Sequence, residues 1–341
     1  MKSAVFYGKH DLRIEEHAKP VVGAEDVLIQ VKACGVCGTD VHIYEGDKGA
    51  ADVTPPTILG HEFSGVVVET GSAVTDCKVG DRVCVDPNRP CGRCTPCRSG
   101  INHFCTHMTG YGTTVDGGFA EYCAVDQKQI DRLGPNTTFE QGAMAEPAAC
   151  CLHGIDLCEI RPGSQVVVIG GGLIGLLMVQ LARLSGASAV ALVEPVESKR
   201  AVGQKLGADL CIDPAAENVQ AVLAAHGMTW INTVIECVGR PETMEQAVEL
   251  AGQKAVVMLF GLTKPDAPMT LRPFTLFQKE LTLKASYINP YTQKRALDLI
   301  DAGRLDVQSM ICAVRGLEQL PEILHNPKLR AKGKYIISPE L

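Results

Sequence analysis

The sequence predicts an α/β protein of two domains, a β-rich domain followed by a doubly wound parallel sheet. The first half, to about residue 150, contains short β-branched runs punctuated by glycines, without helical periods between them. From Arg161 onward, continuous apolar strands alternate with helical stretches, as in a parallel sheet covered on both faces. A chain of 341 residues is also too long for one ordinary core, so two domains are expected.

The β-rich half is predicted from three strand-like runs, Val27–Val31, Phe63–Val68 and Gly80–Val85. Many short strands of this kind indicate a compact, barrel-like domain. The tail, Lys334–Ser338, alternates like a strand, and we expect it to return to this first domain.

The second domain begins with a motif that binds dinucleotides. The apolar strand Gln165–Ile169 runs directly into Gly170, Gly172 and Gly175, and a helix follows to Leu184. Glycines at this spacing let the backbone approach a pyrophosphate, which the helix N-terminus stabilises. Since the motif lies between a buried strand and a helix, we predict a nucleotide site.

An acidic residue after the next strand predicts the choice of nucleotide. Strand Ala189–Val193 ends at Glu194, where an acid accepts hydrogen bonds from the adenosine ribose and repels a 2′-phosphate. NAD is therefore favoured over NADP, although Lys199 and Arg200 just beyond can weaken the preference. The alternative is an ordinary solvated acid at a strand end. Three further strands are predicted at Thr233–Cys237, Ala255–Gly261 and Leu281–Lys284. A helix is predicted at 293–302, followed by Gly303.

Composition excludes several classes of partner. Net charge is −7 without a basic run, which argues against nucleic acid and anionic membranes as partners. The N-terminus lacks a long apolar signal core, and no run is long enough to span a membrane.

With 15 cysteines and no secretion signal, we expect a reducing, cytoplasmic compartment where clustered cysteines bind metal.

One such cluster, of spacing C-x2-C-x2-C-x7-C, lies in the first domain. Four thiolates in a loop rich in glycine and proline can close a tetrahedral zinc site that holds the loop in place. The alternatives are a redox pair and an iron–sulfur cluster, but the fourth cysteine is more distant than in bacterial ferredoxins and is not followed by proline. We predict a structural zinc bound by Cys91, Cys94, Cys97 and Cys105.

A second set of metal-binding groups lies between residues 34 and 62. Besides two cysteines in Cys-Gly-Val-Cys, it contains His61, Glu62 and the pair Thr39 and His42. Thiol, imidazole and carboxylate together form an open zinc site with room for a substrate oxygen. Each group alone would more often be a buried structural residue, so the prediction depends on the set.

These motifs together resemble the zinc-dependent medium-chain alcohol dehydrogenase family across the whole chain, most closely its sorbitol and polyol branch. The resemblance rests on Cys-Gly-Val-Cys-Gly-Thr-Asp-Val-His, Gly60-His61-Glu62, the cysteine lobe, Asp-Gly-Gly-Phe-Ala-Glu-Tyr at 116–122, Glu146-Pro147 and the glycine motif. It implies a GroES-like catalytic domain, 1–152 completed by 289–341, and a Rossmann NAD-binding domain, 153–288. It also implies a homo-oligomer, either dimer or tetramer.

The resemblance further implies roles for individual residues. Cys37 and His61 take the places of catalytic zinc ligands, and Glu146 or Glu62 supplies the third, with exchange between the two acids during turnover. The zinc then stabilises the alkoxide of the substrate while the nicotinamide takes hydride, and Thr39 and His42 relay the proton to solvent. Cofactor contacts are implied at Gly170, Gly172, Leu173, Ile174, Gly175, Glu194, Lys199, Phe260, Gly261, Leu262, Tyr287 and Ile288.

The substrate remains open between several alcohols. The arginine of animal sorbitol dehydrogenases is missing beside Tyr287, which argues against sorbitol itself and favours another sugar alcohol or a related diol. Threonine dehydrogenases carry a histidine where Asn88 stands, which counts against threonine, and a butanediol dehydrogenase is a further alternative. The other readings are an inactive nucleotide-binding redox sensor or scaffold and a zinc-free quinone reductase. Both are disfavoured because every zinc ligand and relay group is present.

Overall fold

The computed structural model describes residues 1–47 and 53–341 and contains two compact units. Met1–Ala149 and Pro290–Leu341 form one unit, and Cys150–Asn289 forms the other. The boundaries expected from the sequence were 152/153 and 288/289, against 149/150 and 289/290 in the structure. The α/β class, with one β-rich unit and one parallel sheet, is confirmed.

The elements are numbered in chain order. The strands are β1 (Lys2–Gly8), β2 (Asp11–Glu16), β3 (Asp26–Gly35), β4 (Thr57–Ile58), β5 (Glu62–Thr70), β6 (Arg82–Val85), β7 (Asn88–Arg89), β8 (Thr109–Gly110), β9 (Tyr122–Asp126), β10 (Ile130–Arg132), β11 (Gln165–Ile169), β12 (Ala189–Val193), β13 (Leu210–Ile212), β14 (Ile231–Glu236), β15 (Val256–Leu259), β16 (Thr282–Ala285), β17 (Ile311–Arg315) and β18 (Lys334–Ile337). The helices are α1 (Gly38–Tyr44), α2 (Thr95–Arg98), α3 (Phe139–Ala143), α4 (Ala145–Cys158), α5 (Leu173–Leu184), α6 (Glu197–Lys205), α7 (Val219–Ala225), α8 (Pro241–Leu250), α9 (Pro273–Lys279), α10 (Gln293–Asp301), α11 (Leu320–His325) and α12 (Pro327–Arg330). None of these helices is long and apolar enough to cross a membrane.

The main sheet of the first unit has the strand order β10-β6-β5-β3-β18-β17, and β9 also pairs with β3. Strand β3 is its centre, since it pairs antiparallel with β5, β9 and β18. Its apolar residues are completely buried, as expected for a strand covered on both faces. The expected return of the C-terminal tail to this unit takes the form of β18, whose four residues are all buried.

The first unit also contains helices that the strand-like sequence pattern did not reveal. Helix α1 follows β3 within three residues, and α3 and α4 follow β10. Helix α4 runs across the boundary between the units at Ala149, whereas α1 and α3 have 7 and 5 residues and begin at capping boxes rather than on long amphipathic periods. Short helices of this kind depend on caps and tertiary packing, so periodicity alone could not predict them.

The second unit is a six-stranded, all-parallel sheet of order β13-β12-β11-β14-β15-β16. Starting from β11, the order reads 3-2-1-4-5-6 in chain sequence, the doubly wound arrangement that binds ligands at the carboxyl ends of its strands. Strand β11 lies at the centre and is buried from Val166 to Ile169. The glycine motif therefore leaves the sheet at its central strand.

Candidate functional site

The pairing of β3 with β5 brings a thiol, an imidazole and a carboxylate together. Gly35 lies opposite Glu62 in the strand register, so Cys37, just beyond β3, comes close to His61, just before β5. Possible ligand atoms of Cys37, His61 and Glu62 all lie within 4.8 Å of one another. His61 and Glu62 are buried, and Cys37 is half-buried. A cluster of this composition is suited to zinc.

Negative charge dominates around His61. Asp40, completely buried in α1, accepts a hydrogen bond from the backbone N–H of Cys37 at 2.8 Å, and its other oxygen lies 3.4 Å from His61 Nδ1. Burial lowers the pKa of His61, but Asp40 and Cys37 raise it, and the result lies well above its usual value. Such an environment favours a positive charge at this position.

Three buried polar atoms at this site have no hydrogen-bond partner. They are Oδ1 of Asp40, Nδ1 of His61 and Oε1 of Glu62. Buried polar atoms are rarely left unsatisfied, since each costs about 1–3 kcal/mol. Oδ1 of Asp40 and Nδ1 of His61 lie 3.4 Å from each other, whereas Oε1 of Glu62 is a buried acceptor close to a thiol and an imidazole, a donor set that fits a zinc ion.

The other oxygen of Glu62 is bound by a lysine from the far end of the chain. Lys334, on β18, forms an ion pair with Oε2 of Glu62, and both side chains are almost completely buried. Burial lowers the pKa of Lys334, but Glu62 raises it, and the net shift is upward. Gly35 makes room for the pair, because a Cβ there would lie 2.2 Å from Glu62 Oε2.

The remaining residues expected at this site lie on two helices. Thr39 and His42 are three residues apart on α1 and therefore face the same side, Thr39 half-buried and His42 with its side chain 40% exposed. Nδ1 of His42 lies 3.5 Å from Asp47. Glu146 is buried in the first turn of α4, and the compact ligand cluster of Cys37, His61 and Glu62 does not include it.

The four cysteines of the lobe form a second cluster in the same unit. Candidate ligand atoms of all four lie within 4.8 Å of one another, and Cys94 Sγ is 3.3 Å from Cys97 Sγ and 3.8 Å from Cys105 Sγ. The backbone N–H of Cys97 is the main reason that the pKa of Cys94 falls to about 6. A thiol that ionises this readily is a good metal ligand.

The lobe has no apolar core of its own. Helix α2 contains no buried residue, and Ile101 and Phe104 are 46% and 54% exposed. The four sulfur atoms are consequently the interaction that can hold this segment in shape, as in small zinc modules. This fits a structural, closed metal site rather than a reactive one.

In the second unit, the glycine motif forms the expected turn between β11 and α5. Gly170 has a φ of +100°, and a Cβ on Gly175 would lie 1.7 Å from the carbonyl oxygen of Gly170. Gly172 is the N-cap of the 12-residue helix α5, is exposed, and faces open space. The turn therefore leaves room for an anion at the positive end of the helix.

Glu194 lies against this turn. Its carboxylate accepts hydrogen bonds from the backbone N–H of Gly171 at 2.6 Å and of Val196 at 2.9 Å. Arg200 donates to the carbonyl oxygens of Glu194 and Pro195 and pairs with Asp213 at 3.2 Å. The guanidinium of Arg200 is thus already bound by two backbone carbonyl groups and one carboxylate.

The other residues expected at the cofactor follow β15 and β16 or lie on α6. Phe260 and Gly261 come directly after β15, and Leu262 is 60% exposed. Beyond β16, Tyr287 is 42% exposed. Ile288 has a φ of +45°, which is strained for a β-branched residue. Lys199 is half-buried on α6.

Two contributors to the metal cluster were missed by sequence reasoning. Asp40 stands three residues after Cys37, where the two form a capping box, and that spacing could have suggested its role. Lys334 gives no sequence signal, because it is 272 residues from Glu62. Only the strand pairing of β18 with β3 connects them.

Comparison with known proteins identifies the family. Residues 23–134 match the model for the alcohol dehydrogenase GroES-like domain, and residues 174–302 match that for zinc-binding dehydrogenases. D-arabinitol dehydrogenase 1 of Uromyces fabae is 32% identical over 99% of this chain and 97% of its own. L-threonine 3-dehydrogenase of Caldanaerobacter subterraneus subsp. tengcongensis is 33% identical over 85% of each chain.

A solved structure agrees along the whole chain. A zinc-binding dehydrogenase from Sinorhizobium meliloti 1021, bound to NADP, superposes with a TM-score of 0.95 at 38% identity and 99% coverage of both chains. The resemblance drawn from the motifs is thereby confirmed. The chain belongs to the zinc-binding alcohol dehydrogenase family and combines a GroES-like domain with a Rossmann-type domain.

Proposed function

We propose that this protein oxidises a secondary alcohol of a sugar alcohol, or of a related sugar derivative, to a ketone, with NAD as hydride acceptor. The observation that carries the proposal is the buried cluster of Cys37, His61 and Glu62 with its unsatisfied polar atoms. The arabinitol dehydrogenase relative supports a polyol substrate. Because the threonine dehydrogenase has nearly the same sequence identity to this chain as the arabinitol dehydrogenase, L-threonine stays the second candidate. A further alternative is 2,3-butanediol.

The chain's own groups account for binding and proton movement. A zinc ion at the cluster would supply a Lewis acid that makes an alcohol hydroxyl more acidic, and NAD would supply the hydride acceptor. Cys37, His61 and one of the two acids, Glu62 or Glu146, would hold the ion. Glu62 is the nearer acid, but its Oε2 is already bound to Lys334. Oε1 of Glu62 has no such partner and can serve as the ligand, and the exchange with Glu146 that the family resemblance implies stays part of the proposal.

Thr39 and His42 form the proposed proton path. The half-buried hydroxyl of Thr39 accepts the proton of the substrate as it gives up its own proton, which passes on to His42, one helical turn further, and from there to solvent. An imidazole suits the last position because its ordinary pKa is about 6.5. A carboxylate oxygen of Asp47 lies 3.5 Å from Nδ1 of His42 and can orient the ring.

The first experiment is a screen for NAD- and NADP-linked oxidation of polyols, sugar acids, sugar phosphates, diols and L-threonine. We expect a polyol or sugar derivative to be preferred, and kcat/KM with NAD to exceed that with NADP by about ten-fold or more. Glu194→Ala should lower this ratio, whereas Glu197→Ala, an exposed acid on α6, should leave it unchanged. Higher activity with NADP would refute the role of Glu194, and a preference for L-threonine would replace the substrate proposal.

The second prediction concerns metal content, measured by elemental analysis of the purified protein. We expect two zinc ions per chain. Cys37→Ser should lose one of them and nearly all activity, while Cys94→Ser should lose the other and destabilise the lobe. Cys312→Ser, an exposed cysteine outside both clusters, is the matched control and should retain both. One zinc or none in the unsubstituted protein would contradict the proposal.

The third prediction tests the proton path. Thr39→Ala should lower kcat by about a hundred-fold, the scale of lost acid–base catalysis, with both zinc ions still bound. Thr39→Ser restores a hydroxyl at the same place and should recover most of the activity. Nearly normal turnover of Thr39→Ala would rule the relay out.

The fourth prediction concerns self-association. Strand β16 pairs with β15 alone among the described strands, so its other edge is free to pair with a second copy. Helix α9 contains no buried residue, and its Phe274 and Phe277 are 71% and 81% exposed. We propose a homo-oligomer built on the free edge of β16 and the exposed side of α9, and light scattering should give two or four chain masses. Phe274→Asp with Phe277→Asp should lower the mass, Trp230→Ser should not, and a monomeric parent protein would contradict the proposal.

A further inference from the structure

Glu236 is a completely buried carboxylate outside both metal-binding clusters and the glycine motif. It is the last residue of β14, and it forms no ion pair with any described residue. A buried carboxylate without a cation is costly unless it accepts several hydrogen bonds. The partners of Glu236 should therefore show what its charge is used for.

All side-chain partners of Glu236 belong to the loop and helix that follow it. Its carboxylate accepts hydrogen bonds from the backbone N–H of Val238 at 2.8 Å and of Gly239 at 2.9 Å. The hydroxyl of Thr243, in the first turn of α8, donates to it at 2.7 Å. The charge consequently fixes the loop 237–240 between β14 and α8.

The backbone of the same residue holds a second loop. The carbonyl oxygen of Glu236 accepts hydrogen bonds from the N–H groups of Phe260 and Gly261, both at 3.0 Å. These residues begin the loop that follows β15. One residue thus binds the loops at the ends of two neighbouring parallel strands.

The two loops touch backbone to backbone. A Cβ on Gly239, which has a φ of +80°, would lie 2.3 Å from the carbonyl oxygen of Leu262. A Cβ on Gly261 would lie 2.1 Å from the nitrogen of Gly239 and 2.6 Å from Oε2 of Glu236. Because there is no space for side chains here, a shift of one loop must move the other.

The loop 237–240 also borders the glycine turn of the dinucleotide motif. A Cβ on Gly170 would lie 2.8 Å from Cγ2 of Val238, so the two loops are in close contact. Strand β11, which ends at this turn, pairs with β14. All three loops lie at the carboxyl edge of the sheet, where doubly wound proteins bind their ligands.

We propose that Glu236 is a positioning residue for the dinucleotide: its buried charge locks the loops 237–240 and 260–262 to each other and against the glycine turn. The inference rests on the proposed function, since it supposes that a nicotinamide dinucleotide binds at this edge. It assigns Glu236 no contact with the nucleotide. Its effect reaches the nucleotide through the backbone of the two loops.

Substitution by glutamine separates the charge from the shape. Glu236→Gln keeps the size of the side chain but removes its charge. The N–H groups of Val238 and Gly239 and the hydroxyl of Thr243 all bond to Oε1, so the amide oxygen keeps these bonds only as weaker, uncharged ones. The NH2 group takes the place of Oε2, which accepts from the N–H of Gly239 at 3.2 Å, and that contact is lost. Since the strand itself is unchanged, the loops should lose their fixed position before the sheet loses its fold.

The test is titration of the full-length protein with NADH, followed by nucleotide fluorescence, together with steady-state kinetics. In Glu236→Gln we expect the Kd for NADH and the KM for NAD to rise about ten-fold, the scale of a lost hydrogen bond to a charged group, with a smaller change in kcat. Thr243→Val, a milder variant that removes one donor, should raise both by about three-fold.

The matched control is Val234→Ala, on the same strand and completely buried. It removes apolar packing but no loop hydrogen bond, so it should lower thermal stability while leaving the Kd for NADH unchanged. If Glu236→Gln and Thr243→Val bind NADH as the parent does, or no more weakly than Val234→Ala, the positioning role is overturned. If the parent protein binds neither NADH nor NADPH, the proposed function itself fails and this inference with it.

Discussion

The ion pair between Glu62 and Lys334 is the interaction on which the metal cluster depends. A carboxylate this deeply buried is stable only beside a positive charge or several donors, and Lys334 supplies one charge to one of its two oxygens. The lysine comes from β18, so the last strand of the chain completes a site built mainly by β3 and β5. This is a physical reason for the catalytic unit to be discontinuous in sequence.

The ion pair with Lys334 satisfies only one oxygen of Glu62, and three buried polar atoms of the cluster keep no hydrogen-bond partner. Oε1 of Glu62, Nδ1 of His61 and Oδ1 of Asp40 remain unsatisfied, and the surrounding charge raises the pKa of His61. Lys334 binds Oε2 of Glu62 and therefore neutralises the carboxylate of Glu62 but not that of Asp40. A dipositive ion can offset the charge of Asp40 and also take the sulfur of Cys37 as a ligand, which a second lysine could not do.

Sequence reasoning predicted the features that depend on local spacing. Strands β11 and β12 lie at the residues predicted, because parallel strands buried on both faces read as continuous apolar runs. The cysteine lobe and the glycine motif were recognisable because their residues lie at characteristic, short spacings in the sequence. Helix α1 was missed since its 7 residues carry no period, and Lys334 and Glu236 were missed since their roles arise from strand pairing and loop contacts.

At the edge of the second unit that is proposed to bind the nucleotide, a carboxylate accepts backbone N–H groups on each side of β11. Glu194, after β12, accepts the N–H of Gly171, and Glu236, at the end of β14, accepts those of Val238 and Gly239. Backbone N–H groups bound in this way are not free to bind an anion. The donors left for a pyrophosphate are those at the start of α5, whose first residues have no acceptor within the helix. On the proposed function, carboxylates that fix the flanking loops would direct the pyrophosphate to the helix N-terminus and repel it elsewhere.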